Sequence, residues 1–177
     1  YGASAFNQPI NTWDVSNVTE MSHMFFQASA FDQPLDSWDV SKVTTMSNMF
    51  YLALAFNQPL NTWDVSKVTN MGGMFYGASA FNQPINTWDV SSVTNKNSMF
   101  YGASAFNQSL DQWSFNPIVT LQQMLSSSGL DCVNYGKLLE KWANTTGFDN
   151  KNLGDVTGLK YGAFGKTYRD QLLSRGW

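Results

Sequence analysis

The chain has 177 residues, 43% hydrophobic and 15% aromatic, enough apolar surface to offset the entropy of folding and to exclude disorder. Only 13% are charged, so its surface is built largely from Asn, Gln, Ser, Thr and Gly. The net charge of −3 makes no electrostatic case for nucleic acid or an anionic membrane surface, the single Cys132 excludes an internal disulfide, and no apolar run reaches the roughly 20 residues of a membrane span.

From the first residues onward one unit recurs. Phe6, Phe31, Phe56, Phe81 and Phe106 are spaced by 25, and Trp13, Trp38, Trp63, Trp88 and Trp113 keep the same step. The columns that begin at Ile10, Val15, Val18, Met24 and Phe25 follow them, ending at Leu110, Phe115, Ile118, Met124 and Leu125. A period in the twenties with about eight apolar positions describes units that bury their side chains only by stacking on one another. The pattern predicts an α/β solenoid, a leucine-rich-repeat-like right-handed coil with one short parallel strand and one short helix per repeat.

Within the first unit, Ile10-x-x-Trp13-x-Val15-x-x-Val18 alternates as a strand does and places it around Thr12 to Ser16. Val18, Met21, Met24 and Phe25 then fall at helical spacing, predicting a helix or 3₁₀ segment near residues 18–26, with Asp14 or Ser16 as its cap. An Ala-Ser-Ala-Phe-Asn-Gln-Pro stretch, as in Ala78 to Pro84, turns the chain back. The fifth unit keeps only the apolar skeleton, with Ser109 for Pro and Ser114 for Asp.

Residues 126–177 have a different composition. Tyr135, Leu138, Leu139 and Trp142 mark an amphipathic helix, and a short strand around Leu159–Tyr161 precedes a second helix ending near Ser174. Two domains are therefore expected: a five-coil array over 1–125, and a C-terminal α/β capping module over 126–177 packed on the last coil. Because Tyr1 to Ala5 repeats Tyr101 to Ala105, the array is expected to be truncated at its N-terminal end.

The stretch Ala55-Phe-Asn-Gln-Pro-Leu-Asn-Thr-Trp-Asp-Val-Ser-Lys-Val-Thr-Asn-Met-Gly-Gly-Met-Phe75, with its copies over residues 1–125, resembles the BspA-like surface-protein repeat. That family is a leucine-rich-repeat relative found in mycoplasma lipoproteins, other bacteria and some protists. The tail is similar to the module that ends such arrays. The resemblance implies a non-enzymatic protein of the cell surface or extracellular space, in some members an adhesin.

Residue chemistry leads the same way. His23 has Asn48, Gly73, Ser98 and Gln123 at its equivalent positions, and Cys132 has no companion His nearby in the sequence, so neither begins a nucleophilic or metal site. No cofactor is implied. The Trp column points inward, whereas Asp14, Asp39, Asp64 and Asp89 form an outward ladder of like charges that needs compensation. Backbone N–H groups of the next turn, a bridging cation, or donors on a ligand would each supply it. The candidate ligand surface is thus the face carrying Thr12, Asp14, Ser37, Asp39, Thr62, Asp64, Thr87 and Asp89. Its expected partner is a protein or glycan on another surface; the alternative is a structural stalk or fibre in which copies stack. Asn17 and Asn144 stand in sequons and are possible glycosylation positions.

Overall fold

The structure is a computed structural model that describes residues 2–156 and 158–177. Tyr1, the first residue matched to Tyr101, lies outside the described residues. Among those residues the regular elements are two helices, α1 (Cys132–Ala143) and α2 (Ala163–Ser174). There is no strand and no sheet among them. The expected α/β solenoid, leucine-rich-repeat-like with a strand and a helix in every unit, is therefore wrong, and so is the strand at Leu159–Tyr161.

The repeats are made of turns, and the reason lies in where their N–H groups go. Met21, His23, Phe25 and Gln27 donate to Thr45, Ser47, Met49 and Tyr51 carbonyls of the next repeat, at 3.0, 3.0, 2.9 and 2.7 Å. The N–H groups between them, on Met24 and Phe26, close turns onto Met21 and His23, three residues back. An α-helix needs each N–H for its own carbonyl four residues back, so residues 18–26 cannot be one. Left-handed backbone enforces the point: φ is 62° at His23, 58° at Gln27, 54° at Asn48 and 53° at Leu52. Successive turns still bring every third or fourth side chain to one side, which is why the apolar spacing imitates a helix.

The supposed strand is likewise two turns. Trp13 N–H bonds to the Ile10 carbonyl at 3.0 Å, and Ser16 N–H to the Asp14 carboxylate at 3.0 Å. Adjacent repeats are joined by a single parallel bridge each, Glu20 to Thr45, Thr45 to Asn70, Asn70 to Asn95 and Asn95 to Thr120. These bridges lie outside the Thr12–Ser16 stretch and its copies, which therefore alternate through their turns alone.

Aromatic rings stack along the array. Phe50 lies 4.0 Å from Phe56 and 5.5 Å from Phe75, both in the next repeat, with interplanar angles of 13° and 4°. Burying one such side chain contributes about 1.5–3 kcal/mol, so each added repeat extends a continuous core. Every Trp from the second repeat on is also a fastener. The indole N–H groups of Trp38, Trp63, Trp88 and Trp113 donate to the Ile10, Leu35, Leu60 and Ile85 carbonyls of the preceding repeat, at 2.9–3.1 Å.

A polar ladder runs beside the rings. Asn7 Oδ1 accepts from the Asp32 N–H and from Gln33 Nε2, and Asp32, Asn57 and Asn82 repeat the arrangement. Its last rung is Asn107, which receives the Asp131 N–H and Asn134 Nδ2. Asp131 in turn caps α1 by accepting from the Val133 and Asn134 N–H groups. The first helix thus grows directly from the ladder. Phe115 meets Trp142 of α1 at 5.7 Å, and Trp177 covers Trp142 at 5.1 Å. Arg175 fixes the end of α2 by donating to the Ala143 and Thr145 carbonyls and pairing with Asp149.

Two positions depart from their columns. Ile118 is 72% exposed, and Val119 fills its place at 1%, because the turn before it closes onto Asn116 one residue late. Lys96 is fully buried where Met21, Met46 and Met71 stand in other repeats. Its Nζ lies 3.4 Å from the Val90 and Val93 carbonyls and over the Phe115 ring at 5.4 Å. Burial pulls this ammonium down to about 7.

Candidate functional site

Trp and Val on either side of each Asp turn inward, so the residues between them turn out. Thr12, Asp14, Ser37, Asp39, Thr62, Asp64, Thr87 and Asp89 are all exposed and share one face. Part of their polar capacity is spent locally. In all four repeats the Asp Oδ1 accepts the N–H of the Ser two residues on, at 3.0 Å, closing an Asx turn. The Ser hydroxyl, then that N–H, holds each carboxyl below the ordinary Asp value; the neighbouring Asp pushes Asp39, Asp64 and Asp89 the other way and is outweighed. The four carboxylates stay ionised. The hydroxyls of Ser37 and Thr62 donate to the Asn11 and Asp36 carbonyls of the preceding repeat at 2.6 and 3.0 Å.

At the junction of the fourth and fifth repeats the face becomes concave. A hollow of about 650 Å³ opens there, lined by Asn86, Thr87, Asp89, Ser91, Gln112 and Ser114. Its origin is the decay of the fifth repeat. Ser114 is too short to reach where Asp would, and the Asx turn slides to Asn116, whose Oδ1 accepts the Ile118 N–H at 3.0 Å. Gln112 is held against the fourth repeat by its N–H on Asn86 Oδ1 at 3.1 Å. Hydroxyls, amides and one carboxylate thus converge, beside Trp88, on an open hollow without a cationic side chain in its lining.

Of the eight predicted residues, Thr87 and Asp89 line this hollow; the other six lie on the same face outside it. Asn86, Gln112 and Ser114 were not read from the sequence, although the broken columns at residues 112 and 114 were the available signal. A second missed feature is a half-buried ring column, Phe26, Tyr51, Tyr76 and Tyr101, stacked at 4.7, 4.4 and 4.7 Å. It, too, has the 25-residue step.

The two asparagines marked as possible glycosylation positions, Asn17 and Asn144, are exposed. Asn17 Oδ1 accepts from Lys42 Nζ at 2.8 Å, and Asn144 is the C-cap of α1. His23 Nε2 lies 3.1 Å from Asn48 Nδ2, and Cys132 is exposed at the first position of α1. No helix among the described residues is long and apolar enough to cross a membrane.

Neither the curated proteins nor the solved structures contain a match to this chain. A family described as "Mycoplasma protein of unknown function, DUF285" does match, over residues 1–66 and 36–142. The two matched spans take in the stacked repeats and the greater part of α1, and the chain belongs to the DUF285 family.

Proposed function

We propose that the protein is a non-enzymatic binding module displayed on a cell surface or secreted, and that it holds a protein or glycan partner on the Thr/Asp face. The observation that carries this reading is the hollow at Thr87 and Asp89. Its lining of hydroxyls, amides and an ionised carboxylate offers both donors and acceptors to a hydroxyl-rich or backbone-rich ligand. The exposed face of the preceding repeats extends the contact, and the resemblance to BspA-like surface proteins supports the location.

The test separates binding from folding. Asn closes the same turn at residue 116, so Asp89→Asn removes the charge and keeps the fold. Thr87→Ala combined with Asp89→Asn should lower binding to immobilised glycans or extracellular-matrix proteins by about tenfold, with an unchanged melting temperature. Equal binding by this variant rejects the face.

A second reading, structural assembly by stacking, is favoured by one observation. Trp13 is 54% exposed, and a hollow of about 190 Å³ bounded by Phe6, Ile10, Met24 and Phe25 lies beside it. Another repeat fits there. A mass in solution that stays monomeric up to high concentration would argue against assembly by this chain.

A further inference from the structure

Away from the repeats, a cleft of about 380 Å³ opens between α1, α2 and residues 151–156. This is the small end of the roughly 300–1,000 Å³ range of ligand pockets. Its walls are apolar: Leu139, Leu153, Leu172 and Trp177 line it. Its charged lining residues are Lys151 and Arg169, and no Asp or Glu lines it. In a chain whose net charge is −3, a cleft with two cations in its lining stands out.

Tyr135 and Arg169 have spare hydrogen-bonding capacity there. Tyr135 is 4% exposed, and its hydroxyl has no hydrogen-bond partner among the described residues. Burial, then the nearby Tyr161, pushes this phenol up to about 12, so it keeps its proton and can only be improved by an acceptor. Arg169 bonds Asp170 through Nη1 at 2.9 Å and lies 5.9 Å from the centre of the Tyr161 ring. Its Nε and Nη2 groups have no hydrogen-bond partner among the described residues. Lys151 donates to the Pro117 carbonyl and lies 5.3 Å from the centre of the Phe148 ring, without a carboxylate in ion-pair range. A fork-shaped guanidinium and a phenolic donor above an aliphatic floor match a planar anion with a greasy tail.

We propose that this cleft binds a small amphipathic carboxylate, its head held by Arg169 and the Tyr135 hydroxyl and its aliphatic tail laid on Leu139, Leu172 and Trp177. The site is independent of the Thr/Asp face and goes beyond the proposed adhesion.

The experiment is calorimetric titration of the whole chain with decanoate, below its micelle-forming concentration, and with decanol as the uncharged control. Saturable one-to-one binding of decanoate is expected, with decanol weaker by about tenfold. Arg169→Gln should weaken decanoate by about tenfold and leave decanol unchanged, since the Arg169 side chain is 45% exposed and its removal spares the core. Tyr135→Phe, with its helical circular dichroism shown to be intact, should weaken decanoate several-fold. Absence of saturable decanoate binding, equal affinity for decanol, or undiminished binding by Arg169→Gln would overturn the proposal.

Discussion

Asn107 and Asp131 exchange two hydrogen bonds: the Asp131 N–H donates to Asn107 Oδ1, and Asn107 Nδ2 donates to Asp131 Oδ2, both at 3.0 Å. Asp131 is at once the end of the ladder and the cap of α1. The Asn134 N–H, then the Asn107 amide, holds its carboxyl below the ordinary Asp value. Its contribution is therefore present above the unfolded carboxylate range and is lost as pH falls through the lowered folded value. Asp131→Ala should cost about 1 kcal/mol, the usual worth of such a cap. Helical circular dichroism during urea unfolding measures it, because both regular helices lie beyond the repeats.

Leu52 offers a test of the turn architecture against a helical one. Its φ is 53°, and Gly77 and Gly102 hold the equivalent positions. In a helix Leu→Gly would cost about 1 kcal/mol. In a left-handed turn it removes a strain of roughly 1–2 kcal/mol, offset in part by chain entropy and lost contact. Leu52→Gly should leave the urea midpoint unchanged or raise it. A clear fall would speak for a helix.

Lys96 weakens the core it sits in. Its folded value is about 7 against 10.5 for a free lysine, so between those pH values the unfolded chain holds a proton that the folded chain has released. Stability therefore rises with pH across that window, and the full penalty applies below about 7. Lys96→Met restores the residue of the first three repeats. It should raise stability at pH 7 by about 2–4 kcal/mol and flatten the difference between pH 7 and 10. Urea midpoints of both proteins across that range provide the check.

The tryptophans should not be equivalent. Trp63→Phe removes one of the two donors on the Leu35 carbonyl, the Trp38 N–H remaining, and should cost about 0.5–1.5 kcal/mol. Trp13 is 54% exposed, and Trp13→Phe should change stability by less than about 0.5 kcal/mol. Chemical denaturation of the two variants against the parent chain decides it.

The side-chain columns were legible in the sequence because a stack is one-dimensional and its period writes itself into the residues. Phe56, Trp63 and Met74 are fully or almost fully buried. The backbone was not legible, since turns and helices both place apolar residues three and four apart. Gly73, Gly77 and Gly102 hinted at left-handed positions, but His23, Asn48, Leu52 and Ser98 occupy the same positions and hide the rule. Asx-turn bonds to Asp64 were one of three compensations the sequence allowed, and the structure shows them. The hollow beside Asp89 could not be read, because it comes from what Ser114 fails to fill and from a turn that closes late at Asn116.

The repeated junctions bear on how the gene can change. Trp38, Trp63, Trp88 and Trp113 each reach back 28 residues to the same kind of carbonyl, and Asn57 and Asn82 each accept from the next rung 25 residues on. Removing or duplicating 25 codons inside the array presents every surviving residue with a partner of the type it had before. Slipped replication or unequal recombination between copies can then vary the number of repeats that stand behind the terminal module, without a new core having to be invented. A loss of 24 codons would put each indole out of step with the carbonyl it needs.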